Sequence, residues 1–278
     1  MKLSLSEIST VGASFREDLA AYAAAGFDGI GIWELKLGDG GADLEALRAS
    51  GLRATNCVPL VPSILPNAVI EGPADVDERV ASICRSVERL ARYEPECVLI
   101  LTGAAGERSE AEARRLVVEG LKRIAAAADG ARVRLGLEPT HVSQREALSL
   151  VTSIPEALEL LEGAGLAQVG IMVDLYHLWD TPTVEDDLRE HLARFTGVHL
   201  SDWYADDRPE RALPGEGVSR TSELVAVLAD AGWRGTWDVE IFGVPDDPAS
   251  FWALPADVAA RRAYEAATRL LTPVSPPD

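Results

Sequence analysis

The sequence predicts a single-domain (β/α)8 barrel, and three observations support this fold class. Eight short apolar runs recur along the chain, amphipathic helical segments separate them, and no composition shift divides the chain. The length of 278 residues suits one closed barrel, which commonly takes about 250 residues. We expect the barrel to occupy residues 1–271 and a proline-rich C-terminal tail to occupy residues 272–278.

The apolar runs are near-continuous rather than alternating, as is typical of strands buried on both faces of a parallel sheet. In chain order, the eight predicted strands are residues 2–8, 29–33, 52–58, 97–102, 133–138, 169–175, 196–200 and 236–241. A doubly wound sheet is the alternative, and its nucleotide-binding form carries a Gly-rich turn after the first strand. Here residues 9–14, STVGAS, lack the GxGxxG spacing, which favours the barrel.

Amphipathic helices are predicted between the strands. Apolar residues that share one helical face define two of them, namely Val117, Leu121, Ile124 and Ala128, and then Leu224, Val227, Leu228 and Ala231. Ser153 with Glu156 three residues later is a capping box, and Pro155 lies in the first turn. Asp247 followed by Pro248 predicts the start of the last helix.

Charge and composition disfavour several classes of function. The chain has 45 acidic residues against 26 Lys and Arg, a net charge of −19 and a pI near 4.6. A field of this sign repels phosphate backbones and anionic lipids, so we expect no nucleic-acid partner and no membrane partner. Three cysteines without CxxC spacing, no signal peptide and no stretch of 18 apolar residues predict a reduced, cytoplasmic protein.

Chemistry in such a barrel lies where strands end and loops begin. Four consecutive predicted strands, the fifth to the eighth, end in a side chain that can bind a metal: Glu138, Asp174, His199 and Glu240. Converging carboxylates at the end of apolar strands repel one another, and a divalent cation removes this repulsion. Three carboxylates and one imidazole favour Mn²⁺, with Mg²⁺, Co²⁺ or Zn²⁺ as alternatives.

Each of these residues is also compatible with a purely structural role. A carboxylate at a strand end often caps the helix that follows, and Asp202 is compatible with such a cap. His199, taken alone, is compatible with a histidine that only packs in the core. Asp238 lies two residues before Glu240 and shares its strand face, either one layer deeper or at the rim. The joint occurrence on four successive strands supports the site.

A second group of residues follows the same strand ends. His177 and His141 each lie three residues after a predicted ligand, and Arg211 lies in a turn-rich loop, where its planar fork suits a hydroxyl, carboxylate or phosphate of a substrate. Aromatic side chains suit the apolar faces of sugar rings, although they also occur simply as packing residues. The aromatic candidates are Trp33, Trp179 and Trp203.

Five short motifs occur in order along the second half of the chain: EPTH at 138–141, VDLYHLW at 173–179, VHLSDW at 198–203, PGEGV at 214–218 and VEIF at 239–242. In this order, and on these strands, they resemble the sugar phosphate isomerase/epimerase family of xylose-isomerase-like TIM barrels. The resemblance spans most of the chain, from the first predicted strand to the eighth. Each motif alone is only moderately specific.

The resemblance implies roles for several residues. It implies that Glu138, Asp174, His199 and Glu240 are metal ligands, and that His177 and Arg211 contact the substrate. In ketose epimerases of this family a second glutamate follows the first ligand and binds substrate, and here Gln144 stands at that position. Barrels of this family often form dimers or tetramers, so a homo-oligomer is a possible assembly.

The expected activity is metal-assisted proton abstraction next to the carbonyl of a sugar or polyol, with Glu138 and Glu240 as base and acid. The same enediolate leads to epimerisation, to isomerisation, or to elimination from an inosose or a 3-keto-glycoside. A phosphodiesterase resembling endonuclease IV needs a histidine-rich trinuclear site, which four histidines and the acidic charge disfavour. A non-catalytic sugar-binding subunit is disfavoured because all four ligands are present.

Overall fold

The computed structural model describes residues 1–38, 41–206 and 208–272. Within these residues the chain forms a barrel of parallel strands surrounded by α-helices, which confirms the predicted fold class. Residues 273–278 of the predicted C-terminal tail lie outside the described residues.

The described residues form nine strands, and these account for the eight predicted ones. They are β1 (Lys2–Ser6), β2 (Gly29–Gly31), β3 (Arg53–Ala54), β4 (Asn56–Cys57), β5 (Cys97–Ile100), β6 (Leu135–Leu137), β7 (Gly170–Asp174), β8 (Phe195–Leu200) and β9 (Thr236–Val239). The third predicted strand is divided into β3 and β4 by Thr55. Neighbours in the sheet run in the order β3-β2-β1-β9-β8-β7-β6-β5-β4.

The barrel closes at Thr55. Its N–H donates to the carbonyl of Ile30 at 3.0 Å, and its own carbonyl accepts from the N–H of Cys97 at 3.3 Å. On either side of it, β3 pairs with β2, and β4 pairs with β5. One residue therefore links the two ends of the strand order, and the sheet has no free edge at this point.

Nine α-helices lie in the described residues. They are α1 (Phe15–Ala25), α2 (Ala42–Ser50), α3 (Val76–Leu90), α4 (Glu110–Ala131), α5 (Ile154–Gly163), α6 (Leu175–Leu178), α7 (Val184–Glu190), α8 (Thr221–Ala231) and α9 (Ala256–Leu271). The predicted apolar face of α4 is buried throughout, and so is that of α8 except for the half-buried Ala231. Among the described helices, none combines the length and the apolar composition that a bilayer crossing requires.

The predicted helix starts are right in one case and wrong in the other. Ser153 caps α5, because its Oγ accepts from the N–H of Glu156 at 3.3 Å, although the Glu156 carboxylate accepts from the N–H of Thr152 instead. Asp247 does not open the last helix. Its Oδ1 accepts from the N–H of Ala249 in a local turn, and α9 begins further along the chain at Ala256.

Polar side chains fill part of the barrel interior because glycines leave room for them. A Cβ at Gly31 would lie 2.6 Å from Oδ2 of Asp238, and a Cβ at Gly197 would lie 2.2 Å from Oδ1 of Asn56. The strand register places His199 beside Asp238 on one side and beside Asp174 on the other. Side chains that lie far apart in the sequence therefore meet at the carboxyl ends of β7, β8 and β9.

Candidate metal centre and active site

The four predicted metal ligands lie together at the carboxyl ends of four neighbouring strands. Glu138 follows β6, Asp174 ends β7, His199 lies in β8 and Glu240 follows β9. All four side chains are buried. Ligand atoms of Glu138, Asp174 and His199 lie within 4.8 Å of one another, close enough for one ion to contact all three.

Nδ1 of His199 faces two carboxylates at once. It lies 3.4 Å from Oε1 of Glu138 and 3.4 Å from Oε2 of Glu240. Within the described part of the chain, neither this Nδ1 nor Oε1 of Glu138 has a hydrogen-bond partner. Buried polar atoms without partners are costly, and a divalent cation is a group that satisfies carboxylate and imidazole atoms together. The residues present therefore fit a divalent ion.

Arg211 lies against two of the same carboxylates. Its Nη1 donates to Oδ2 of Asp174 at 2.8 Å and to Oε2 of Glu240 at 3.1 Å. The guanidinium lies over the rings of Tyr176 and Phe242, 4.2 and 4.7 Å from their centroids. Arg211 thus balances buried negative charge and is held in place by two aromatic faces.

His177 lies on the short helix α6, directly after β7. Its Nε2 is 3.6 Å from Oδ2 of Asp174 and 3.4 Å from Nη2 of Arg211. Burial lowers the pKa of His177 to about 3, even though Asp174 acts in the opposite direction. The imidazole is therefore neutral at neutral pH and can both donate and accept a hydrogen bond.

The charged groups of the site have very different proton affinities. Burial raises the pKa of Glu138 to about 7, against the opposing effect of His199. Burial would also raise the pKa of Asp174, but the charges of Arg211, His177 and His199 outweigh it and the pKa falls to about 2. For His199, burial lowers the pKa, but Glu240, Glu138 and Asp238 raise it to about 10.

The aromatic residues predicted for the substrate separate into two groups. Trp33 lines the cavity above the carboxylates, and its Nε1 donates to Oγ of Ser6 at 2.9 Å. Trp203 stacks on Tyr176 with ring centroids 4.7 Å apart, and Trp179 packs against Trp203. Among the described residues, these two indoles lie behind Tyr176 rather than on the cavity wall.

His141 also lies behind the cavity. Its Nε2 is 3.1 Å from Oδ2 of Asp180, and its ring centroid is 5.0 Å from that of Trp203. The structure therefore brings His177, Arg211 and Trp33 to the cavity and places His141 in the supporting layer with the other two tryptophans. Within the described chain, His141 does not line the cavity.

Two supporting contacts were not predicted from the sequence. Oγ of Ser6 donates to Oε1 of Glu240 at 3.3 Å, so β1 helps to orient the predicted ligand that follows β9. Oδ2 of Asp238 lies 3.8 Å from Nε2 of His199 and accepts from Nδ2 of Asn56 at 3.2 Å. Asp238 therefore lies one layer below Glu240, and strand alternation alone could not distinguish this position from the rim.

A cavity of about 190 Å³ opens directly above the carboxylates. This is smaller than the roughly 300–1,000 Å³ of pockets for drug-sized ligands, so it suits a small molecule. Its lining includes Trp33, Val58, Leu99, Leu101, Glu138, Gln144, Leu148, Tyr176, His177, Arg211, Glu240 and Phe242.

Residues 19–269 match the family model described as xylose isomerase-like TIM barrel. The chain belongs to this family. The match covers every strand that carries a predicted ligand of this xylose isomerase-like barrel. It also agrees with the family resemblance that the motifs of the second half of the chain indicated.

Known proteins resemble this xylose isomerase-like barrel at low identity. A stretch of 100 residues is 24% identical to Inosose isomerase from Halalkalibacterium halodurans strain C-125, and it covers 33% of this chain and 35% of that protein. The structure of IOLI protein with a binding zinc atom has a TM-score of 0.78 at 18% identity, over 98% of both chains. The structure of 3-keto-D-glucoside 4-epimerase, YcjR, from E. coli has a TM-score of 0.76 at 19% identity, over 97% of this chain and 98% of that one. The two structural matches show a shared fold.

Proposed function

We propose that the protein is a divalent-metal-dependent isomerase or epimerase of a small sugar or keto-sugar, which acts by removing a proton next to a carbonyl. The observation that carries this proposal is the convergence of Glu138, Glu240 and His199 beneath a small cavity, with buried ligand atoms that lack partners among the described residues. The Inosose isomerase and 3-keto-D-glucoside 4-epimerase relatives support the class of reaction.

Glu138, Asp174, His199 and Glu240 would hold the cation. When bound, such an ion supplies Lewis-acid stabilisation of negative charge that develops on substrate oxygens. Mn²⁺ is our first choice because oxygen ligands dominate the set, and the zinc atom of the IOLI structure supports a divalent ion in general. Asp174, with a pKa of about 2, stays ionised and suits a permanent ligand.

Glu138 and Glu240 are the proposed acid–base pair. A carboxyl whose pKa is near neutrality accepts and returns protons efficiently at neutral pH, and burial gives Glu138 this property. Glu240 is fixed by Ser6 on one oxygen and by Arg211 on the other. Two carboxyls that approach the same imidazole nitrogen from different strands suit proton removal from one face of a carbon and return to the other.

The remaining cavity residues orient the sugar. The neutral imidazole of His177 and the guanidinium of Arg211 are placed to hydrogen-bond substrate oxygens, and Trp33 offers an apolar face to a ring. The proposed partner is therefore a small sugar or polyol. A leaving group beside the reacting carbon would turn the same first step into an elimination.

Solvent deuterium exchange tests the proposal. The protein, loaded with Mn²⁺ or Zn²⁺, is incubated in D₂O with ketoses, inososes and 3-keto-glucosides, and the substrates are followed by NMR. We expect deuterium at one carbon beside the carbonyl, with exchange lost in EDTA and restored by added metal. The labelled position and the product then distinguish epimerisation, isomerisation and elimination. Absence of exchange from every compound, despite tight metal binding, would contradict the proposal.

A further inference from the structure

The cavity has two chemically different walls on opposite sides of the barrel. The polar wall follows β6 to β9 and presents Glu138, Gln144, His177, Arg211 and Glu240, with the rings of Tyr176 and Phe242 beside them. The apolar wall consists of Trp33 after β2, Val58 after β4, Leu99 and Leu101 at β5, Ile70 from the loop after β4, and Leu148 from the loop after β6, where it adjoins the polar wall. In the sheet order, β2, β4 and β5 lie across the barrel from β7, β8 and β9.

The apolar wall is a packed cluster of its own. Trp33, Val58, Leu99, Leu101 and Leu148 are each less than 10% exposed. They form a hydrophobic cluster with the barrel interior, separate from the larger core between strands and helices, and Ile70 and Phe242 pack against it. The wall therefore has its shape before any ligand arrives.

Three backbone amides of the apolar wall are already paired within the protein. The N–H of Val58 donates to the carbonyl of Ile32 at 2.8 Å, and that of Leu101 donates to the carbonyl of Pro62 at 2.8 Å. The N–H of Leu148 donates to the carbonyl of Gln144 at 2.8 Å. These three N–H groups are therefore hydrogen-bonded within the barrel and its loops.

The N–H groups of the two outer residues of the apolar wall, Trp33 and Ile70, are also paired. The backbone N–H of Trp33 donates to Oε2 of Glu7 at 2.9 Å, and its indole N–H donates to Ser6. The N–H of Ile70 donates to Oδ1 of Asn67 at 2.7 Å. A hydroxyl group placed against the side chains of this wall would lose its water partners and would find none of these N–H donors free. A methyl group would gain from the same burial.

The charged residues around the cavity also disfavour a phosphorylated substrate. Arg211 is the only Lys or Arg among the described lining residues, and it already contacts Asp174 and Glu240. A phosphate group at the far end of the substrate would meet the apolar wall with no cation beside it, and phosphate recognition normally uses such cations.

We propose that the substrate is an unphosphorylated sugar whose end remote from the reacting carbonyl carries an apolar group, as the terminal methyl of a deoxy sugar does. This inference rests on the proposed function, which places the carbonyl at the polar wall. The remote end of a monosaccharide-sized ligand then lies against the apolar wall across the cavity.

Matched pairs of sugars test the inference. Each of several 6-deoxyketohexoses, L-rhamnulose and L-fuculose among them, is compared with its 6-hydroxy parent in the metal-dependent exchange assay. We expect kcat/KM for exchange to be at least tenfold higher for the deoxy member, which corresponds to about 1.4 kcal/mol. Equal rates, or faster exchange of the parent, would overturn the inference and leave the proposed function standing.

Binding measured without turnover separates the two proposals. Saturation-transfer NMR and competition give the relative affinity of each pair for the metal-loaded protein. A deoxy preference without exchange from any sugar would support the apolar wall and contradict the proposed function. The same affinity for both members, or no binding by either, would overturn the inference.

Variants of the apolar wall locate the source of the preference. Leu101→Asn introduces a donor with little change in volume, and we expect it to reduce the deoxy preference below threefold. Leu101→Met keeps the wall apolar and is the matched control, in which the preference stays. Leu148→Asn repeats the test at a second position if Leu101→Asn does not fold. Retention of the tenfold preference in the folded Asn variant would overturn the inference.

Discussion

Glu138 and Asp174 are both buried carboxyls, but they hold protons very differently. Burial is the largest effect at each of them and acts in the same direction. The difference comes chiefly from Arg211, whose guanidinium contacts Asp174 at 2.8 Å, with a further lowering of the Asp174 pKa by His177. One carboxyl is thereby kept ionised, and the other is left with a pKa of about 7. The same chemical group is therefore suited to a permanent charge at one position and to the proposed proton transfer at the other.

Replacement of Glu240 tests the acid–base pair. Glu240→Gln keeps the size of the side chain and removes its charge, so we expect exchange activity to fall by about 10²–10⁴-fold. The melting temperature of the metal-free protein is expected to change little. Exchange rates by NMR and thermal unfolding are the two measurements. Glu216→Gln, at an exposed residue paired with Arg269, is the control. Retained activity in Glu240→Gln would remove this residue from the mechanism.

The loops after β1 and β2 are joined to α1 by a buried polar network. Nζ of Lys36 contacts Oδ2 of Asp18 at 2.6 Å and donates to the carbonyl of Thr10 at 2.8 Å. Oγ1 of Thr10 donates to Oδ1 of Asp18 at 2.7 Å. Glu7 is buried in the same network and accepts from the N–H of Trp33. The network therefore sets the position of one residue of the apolar wall.

Loss of the buried cation should destabilise the fold. Lys36→Met leaves Asp18 buried without its partner, and breaking a buried pair in this way costs about 3–5 kcal/mol. The free energy of unfolding from urea titration measures the effect. Arg115→Ala removes an exposed pair with Glu119 and is expected to cost about 1 kcal/mol or less. A similar, small cost for both variants would show that the Lys36 pair contributes no more than a surface pair.

Glu7 makes the stability of this network depend on pH. Burial raises the pKa of Glu7 well above its ordinary value of 4.5. Above pH 4.5 the unfolded chain therefore binds fewer protons than the native one, and stability falls as pH rises through the raised pKa. Glu7→Gln mimics the protonated acid and removes this loss.

The expected result for Glu7→Gln has a defined direction. Relative to the wild type, the variant should gain stability as pH rises above 4.5, by at most about 1.4 kcal/mol per pH unit. Below pH 4 the difference in unfolding free energy between the two proteins should stay constant as pH falls. Urea unfolding at several pH values measures the difference. A difference that stays constant from pH 4 to 7 would contradict a raised pKa at Glu7.

The elements of the fold differ in how far the sequence determines them. The eight strands could be predicted because near-continuous apolar runs of this length, separated by helical patterns, are typical of buried parallel strands. The break at Thr55 could not, since it depends on pairing with two different neighbours. The start of α9 was mispredicted because Asp247 and Pro248 form a cap-like pair that a turn also uses.

The candidate site was predictable only in part, because some of its contacts join segments that lie far apart in the sequence. Side chains at strand ends could be named because the barrel places all those ends on one face. The apolar wall combines residues from β5 and from separate loops, and no local pattern joins Leu101 to Leu148. The positions of Trp203 and His141 behind Tyr176 depend on loop packing, which the sequence does not encode within a short window.

At the scale of the whole molecule, metal binding should raise the thermal stability of the protein. A ligand that binds only the native state at 100 times its Kd stabilises it by about 2.7 kcal/mol. We expect Mn²⁺ or Zn²⁺ to raise the melting temperature, EDTA to reverse the shift, and Asp174→Asn to abolish it. Asp186→Asn, at an exposed residue, is the control. An unchanged melting temperature at saturating metal would contradict a metal site in this barrel.

The opposite placement of the two cavity walls has an evolutionary consequence. The residues proposed to move protons follow β6 and β9, whereas most of those proposed to contact the remote end of the substrate follow β2, β4 and β5. Substitutions after β4 or β5 then change which molecule is accepted while the reaction itself is retained. On this proposal, related barrels would acquire new substrates by changes in the loops after β4 and β5 while the residues after β6 and β9 stay the same.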